Sequence, residues 1–563
     1  MPSWLRRYWR VALILVLAGA LRGVWLTADP PVSDPVGIVW HDEGAWTHNA
    51  RNQALWGVWR TDAWNPVFIA PVFTALEAVA FSTLGVGTWQ ARLVPAVSGL
   101  AAILALMIGL RATSGRHAAL CGGLLLATNY TWVMWNRAAL MESTMTAFMV
   151  IAWSAYAVAD HRHRWGLMAG AAAVAAFFTK AAAAFFVAAL LLEIAGAWWQ
   201  SRHWPLRWSA PTATLVGLAG GGLLVASLFV LPYWTEFQFY NWEMTVERKP
   251  TYSLEALIQR ASWLPVVHGV FSRSWLVIVL GSLAALRCVA RWRDAPPAIR
   301  LLVLWVVVGL LELVVHDSGN ERRYVMFIPA FIGLFAHGIA DSASRGALPG
   351  LATRVATAGL AMILGYVIAG SLIRLFMLDA VMAGDYRWTV RSAAALAVAA
   401  GVWTWRYGPP WRTVPAGAVT AALILTVGID FQLFGGFAAG RTTQNVNASR
   451  MLGGLLPPDT LVHGKLANGL ALENRIRPVF VGRGFGNYAD RFGRDDVRYI
   501  LSYTQANGEA APGYEGDVIL DVLQHYPDRR FVVEFDVQET PGSDRAALIA
   551  KFPDGPDPRA RDK

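Results

Sequence analysis

The chain has 563 residues, of which 55% are hydrophobic and only 15% charged, too few polar groups to cover a soluble globule. Its net charge of +10 would suit a polyanion, but the arginines sit in short loops between apolar runs, where membrane topology accounts for them; no nucleic-acid partner is implied. Two cysteines, Cys121 and Cys288, exclude a disulfide framework and a paired-cysteine metal site.

The basic start, with Arg6, Arg7 and Arg10, leads into an apolar run over 11–28, read as a retained first span rather than a cleaved signal. Further runs follow at 92–110, 118–135, 144–159, 166–179, 181–199, 211–232, 274–290, 299–315, 324–340, 352–377, 392–405 and 414–435. A bilayer core of ~30 Å takes ~20 helical residues, so the sequence predicts about thirteen transmembrane helices. The runs are continuously apolar and do not alternate, which selects helices over a barrel.

The segment 66–84 is interrupted by Pro66, Pro71, Glu77 and Ser82 and reads as an in-plane or re-entrant helix. With it kept in plane, Arg111, Arg116, Arg162, Arg164, Arg202, Arg207, Arg287, Arg291, Arg293, Arg406 and Arg412 all fall on the cytoplasmic side, as the positive-inside rule requires. The protein is thus expected to be multi-pass in the inner (plasma) membrane. On the opposite, extracytoplasmic side lie Asp42-Glu43, Asn136–Ser143, Lys180, the stretch 233–273 and His316–Tyr324.

After residue 440 the composition changes. Short β-like runs at Thr460–His463, Pro478–Val481, Val497–Tyr503, Val518–Leu520 and Phe531–Val537 alternate with helical patterns at Lys465–Asn474 and Arg545–Phe552, which predicts a small α/β domain. The expected organisation is a membrane domain over 1–439, with 29–91 as its first outer loop bearing interfacial helices, and an outer domain over 440–563. Gly482-Arg483-Gly484-Phe485-Gly486 imitates a nucleotide loop, but Asn487 replaces the third glycine, and a plain turn is the better reading. The tail Pro553–Lys563 has the composition of a disordered end.

Polar groups collected at one membrane surface carry the chemistry. Asp42 and Glu43 are neighbours on a helix and point ~100° apart, so only one can face a given substrate. Trp46, Ala50 and Ala54 give the same helix a face suited to the headgroup boundary. Glu142, near hydrocarbon, is costly to keep without a role. Arg322 and Arg323 run against the sidedness rule, so something anionic outside should hold them. Lys180 and Arg137 complete the cations, and the aromatics Tyr233, Trp234, Tyr240 and Trp242 suit either sugar faces or an interfacial belt. His41, His48, His268 and His316 with Glu43 offer ligands for a divalent metal, although their spacing does not define a site and none is required.

These residues resemble the membrane glycosyltransferases of the type-C fold, in particular the protein O-mannosyltransferase and aminoarabinose (lipid A) transferase superfamily. The marks are Asp42-Glu43 after the first span, Arg137 to Glu142 after the third, Phe178-Thr179-Lys180 closing a helix, and Arg323-Tyr324 leading to Pro329. They lie within residues 1–345. Glu142 stands where that family has Asp, Ala181 where Gly follows the Lys, and Trp46 where Tyr is common.

The resemblance implies an all-α polytopic enzyme with a polyprenyl-phosphate sugar as donor and a glycan, lipid or protein acceptor of the cell envelope, as in lipopolysaccharide or protein glycosylation. It implies Asp42, Glu43 and Glu142 as the acidic catalytic group, and Lys180, Arg322, Arg323, Arg137 and Tyr324 around the donor phosphate. Two other classes fit the composition: a lipid-linked sugar transporter or flippase, and an inactive scaffold. No repeated half of the kind transporters use is present.

Overall fold

The computed structural model describes residues 3–32, 36–201, 208–243, 251–264, 269–340, 350–377, 386–409, 415–480, 492–504, 525–538 and 544–552. His268, Arg202, Arg207, Arg412, the 482–486 glycine run with Asn487, the Val518–Leu520 run and the 553–563 tail lie outside them.

The predicted spans fall on helix, although the first leaves it at Gly23 and not at residue 28. The first is α1 (Ser3–Gly23); the outer loop then supplies α2 (His41–Trp56), a 3-10 turn (Pro66–Phe68) and α3 (Pro71–Leu84). Pro71 opens α3 because its missing N–H is one the first turn would leave unpaired anyway.

The next two runs form a single helical stretch, α4 (Thr88–Thr128), broken at Gly115, where φ is +87°. That glycine lets the chain reverse, and the two arms fold together, with Gly122 against Leu110 and Gly123 against Met107. There follow α5 (Tyr130–Trp135), capped by the Asn129 side chain, α6 (Met141–Ala159), α7 (Trp165–Thr179) and α8 (Ala184–Ser201). The later helices run over Ala210–Val225, Trp275–Ala290, Pro297–Val315, Ile328–Ala340, Leu351–Phe376, Tyr386–Tyr407 and Ala416–Gly440. Among the described residues seven helical stretches are long and apolar enough to cross a membrane by themselves, the α4 hairpin counted as one of them.

One apolar core joins α1, α4–α8 and the helices Trp275–Ala290, Pro297–Val315 and Ile328–Ala340, with Trp132, Trp135, Trp153 and Trp305 fully enclosed. Four buried indoles fill volume that aliphatic side chains would leave as voids.

The C-terminal part is a helix Gln444–Leu455, a short helix Lys465–Gly469 and a five-stranded sheet of order β2-β1-β3-β5-β4. The strands are β1 (Leu461–His463), β2 (Arg477–Val479), β3 (Tyr499–Thr504), β4 (Arg530–Val537) and β5 (Asp544–Ala550). β1 pairs in parallel with both β2 and β3, whereas β5 runs antiparallel between β3 and β4. Arg545–Phe552, predicted helical, is therefore largely strand β5. Its Ala-Ala-Leu-Ile-Ala core is buried on both faces as an inner strand, and a short continuous apolar run does not distinguish such a strand from a helix.

This domain is fastened to the outer loop. Asp29 accepts bonds from the backbone N–H groups of Gln444 (2.6 Å) and Asn445 (3.2 Å), capping that helix. Arg51, fully buried, donates to the carbonyls of Ala471, Asn474 and Ile476 at 2.9–3.0 Å. Trp40 is part of the domain's own apolar core.

Helix α2 is consequently enclosed, buried from His41 to Asn52 apart from Trp46. The headgroup-facing role expected for Trp46 and Ala50 is corrected: Trp46 packs edge-on to Trp64 at 5.4 Å, and Ala50 is wholly covered. Protein, from Trp64, Phe73 and Phe81 as well as Leu472, occupies the place given to lipid.

Gly44 marks the closest approach, since a methyl group there would overlap the backbone carbonyl of Asn468. Gly44→Ala is expected to push the outer domain off α2 at a cost of roughly 1–3 kcal/mol. Limited proteolysis near residue 440 should then cut faster than in the wild type; an unchanged digestion pattern would mean the contact is not tight.

Candidate active site

Asp42 and Glu43 open α2 side by side and go different ways. Glu43 turns inward to Arg92 of α4, which grips both its oxygens at 2.7 and 2.6 Å, and it also accepts the Ala139 N–H at 2.7 Å. The same guanidinium donates to the carbonyls of Leu26 and Ala28. Glu43 is thereby a structural tie between α2, α4 and the end of α1.

Asp42 faces the opposite way, between two cations from distant parts of the chain. Arg322 reaches one carboxylate oxygen at 3.2 Å, and Lys465 of the outer domain reaches the other at 3.1 Å. His41 stands 3.9 Å away and bonds through Nδ1 to the Tyr503 hydroxyl at 3.1 Å. Burial pushes the Asp42 carboxyl up, but Lys465, Arg322 and His41 together outweigh it and hold the group below the usual carboxylate range.

Glu142, at the start of α6, pairs with Lys180, where α7 ends. Arg322 interacts electrostatically with both Glu142 and Asp42, and Lys180 with Arg322 and Arg323. Residues 42, 142, 180, 322 and 465 therefore form one charged cluster on one side of the helical bundle.

Two residues predicted at the phosphate are engaged elsewhere, and a third stands at the cluster's edge. Arg137 donates to the carbonyls of Leu21, Arg22, Val24 and Trp25, closing the C-terminal end of α1. Tyr324 is wholly buried, its hydroxyl donating to the Ser318 carbonyl at 2.8 Å. Arg323 pairs with Glu312 at 2.7 Å, at the edge of the cluster.

Of the four aromatics, Tyr240 is buried, bonded to Asn65 and the Ala63 carbonyl and stacked on Phe68. Tyr233, Trp234 and Trp242 are exposed. Glu77 is fully buried in α3, and burial first, Glu43 second, push its carboxyl well above the ordinary range.

The residues named for a metal are not assembled. His48 bonds Asp62 at 3.0 Å, His41 bonds Tyr503, and Glu43 is held by Arg92. Among the described residues no three His, Cys, Asp or Glu side chains come together.

Lys465 and Arg92 were missed by the sequence reading. Lys465 follows Gly464, whose φ is +112°, at the carboxyl end of β1. A Gly-Lys step after a parallel strand was the available signal, since ligands of such sheets sit beyond the carboxyl ends of the strands.

An apolar groove of about 330 Å³ runs between Pro297–Val315, Leu351–Phe376 and Tyr386–Tyr407. Leu310, Leu311 and Val314 line it and bracket Glu312, the partner of Arg323, on their helix.

Residues 69–229 match the family described as dolichyl-phosphate-mannose-protein mannosyltransferase. No curated protein matches the chain. The crystal structure of ArnT from Cupriavidus metallidurans bound to undecaprenyl phosphate is similar over 99% of this chain and 100% of that one, with a TM-score of 0.53 at 17% identity. The apo structure of the same protein gives 0.52 at 17% identity, over 96% and 98%. The oligosaccharyltransferase of Archaeoglobus fulgidus is more distant, with a TM-score of 0.44 at 13% identity over 89% and 70%. The chain thus has the type-C glycosyltransferase fold of ArnT, a multi-pass membrane fold with a small C-terminal sheet domain, and its residues 69–229 are similar to the mannosyltransferase family.

Proposed function

We propose that this protein is a glycosyltransferase that moves a sugar from a polyprenyl-phosphate donor to an acceptor hydroxyl at the extracytoplasmic face of the membrane, inverting the anomeric carbon. Residues 1–439 make the membrane domain and 440–563 the outer domain in this reading. The observation that carries it is the Asp42 cluster, a buried carboxylate flanked by cations at the edge of an apolar bundle.

The acceptor hydroxyl attacks the anomeric carbon while Asp42 takes its proton. The bond from that carbon to the phosphate oxygen breaks, and its electron pair stays on the phosphate. A phosphate leaves readily, so no general acid is needed. Lys180 and Arg322, with Arg323 behind them, offset the charge that grows on the leaving group, the kind of term that usually contributes most. Glu142 positions Lys180.

The groove beside Glu312 suits the prenyl chain, being almost wholly apolar. ArnT, whose fold this chain shares, was crystallised with undecaprenyl phosphate, which supports a lipid phosphate as ligand. The exposed Tyr233, Trp234 and Trp242 are suited to acceptor contact.

The test is turnover. Purified protein in detergent, given a panel of polyprenyl-phosphate sugars and envelope acceptors, should release polyprenyl phosphate and form a glycosylated product. Movement of the lipid across vesicles without transfer would replace this reading with a flippase.

A further inference from the structure

The transfer just proposed moves a negative charge. Before it, Asp42 is ionised and the donor is a phosphodiester with one negative charge; afterwards Asp42 is protonated and the polyprenyl phosphate is a monoester bearing up to two. Charge is conserved, but it has shifted from the carboxylate to the leaving phosphate.

The resting cluster puts two cations, Arg322 and Lys465, against the carboxylate that loses its charge. Lys180 has Glu142 and Arg323 has Glu312, whereas Arg322 and Lys465 share Asp42. Arg322 is anchored also through Nε to the Asn320 side chain at 3.1 Å. Lys465 holds Asp42 through an ammonium on a flexible four-carbon stem, and its side chain is 16% exposed against 9% for Asp42.

The outer sheet is built to present groups at this spot. β1 lies between β2 and β3 and runs parallel to both, and crevices beyond the carboxyl ends of parallel strands are where α/β sheets take ligands. All three carboxyl ends here meet the outer loop. β1 leads to Lys465 on Asp42, β2 to the Phe480 N–H on Asp62 at 3.2 Å, and β3 to Tyr503 on His41.

We infer that Lys465 is a mobile counter-cation, paired with Asp42 at rest and with the leaving phosphate as the sugar departs, which makes the outer domain part of the donor site. The inference rests on the transfer reading above. As Asp42 gains a proton its attraction for the ammonium falls, while that of the phosphate rises; the lysine follows the charge.

The experiment uses the full-length protein in detergent, with Lys465→Met and Lys465→Arg, and two probes: polyprenyl phosphate, read by binding, and the polyprenyl-phosphate sugar found active in the panel. Lys465→Met is expected to lower kcat by about 10²-fold and weaken polyprenyl phosphate by about tenfold, the loss of one charged hydrogen bond, with a smaller change in donor KM. Lys465→Arg should recover part of both. A purely structural lysine would change thermal stability and leave the ratio of polyprenyl phosphate affinity to donor KM at its wild-type value, and that result overturns the inference. A wild-type protein that neither binds polyprenyl phosphate nor turns over any donor removes the transfer reading and this inference together; wild-type turnover with an unaltered Lys465→Met removes this inference alone.

Discussion

Asp42→Asn should leave a folded protein that transfers sugar about 10²–10⁴-fold more slowly, the range expected when a positioned base is lost. The same change frees both Arg322 and Lys465 from their shared carboxylate. It should therefore bind polyprenyl phosphate more tightly than the wild type while failing to turn the donor over. Tighter lipid-phosphate binding combined with lost transfer is not what a general loss of fold produces. Full activity in this variant would remove Asp42 from the chemistry.

The pH dependence follows from the same charges. The cations around Asp42 hold its carboxyl below the usual aspartate range, so the ionised, proton-accepting form is present at all higher pH and is lost only as pH falls through that lowered value. The acid limb of kcat/KM assigned to this group should accordingly lie below the ordinary aspartate value. Lys465→Met should move it upward, because one of the stabilising cations is gone.

Arg92→Met is expected to produce the largest loss of stability, about 3–5 kcal/mol, because it strands the buried Glu43 carboxylate without its partner. Arg92 and Glu43 are 3% and 4% exposed, so water cannot replace the lost bonds. The carbonyls of Leu26 and Ala28 lose their donor in the same step. Thermal unfolding in detergent measures this, and the double change Glu43→Gln, Arg92→Met should be milder than Arg92→Met alone. If the single variant melts like the wild type, Glu43 is not the structural tie assigned to it, and its place in the catalytic group reopens.

Two adjacent acids thus take separate duties for a geometric reason already present in the sequence. Neighbours on a helix diverge by ~100°, so when one faces a substrate the other faces the bundle. Which is which was not legible. It depends on Arg92, 49 residues on, and on Lys465, which comes from another domain. Arg137 shows the converse: a cation near the predicted site, spaced to suggest Glu142, is instead used up by the carbonyls that α1 leaves unpaired at its end.

The sequence by itself determined the membrane class, the helical runs and the grouping of Asp42, Glu142, Lys180 and Arg322. Each of these follows from local quantities: the length of an apolar run, the sign of the charges in a loop, the cost of an acid beside hydrocarbon. Tertiary structure alone decided that α2 is covered by protein rather than lipid, that Arg545–Ala550 pairs as strand β5, and that Asp42 is held by a lysine from the outer sheet. Those outcomes depend on which surfaces meet across hundreds of residues, and local periodicity carries no term for a partner that far along the chain.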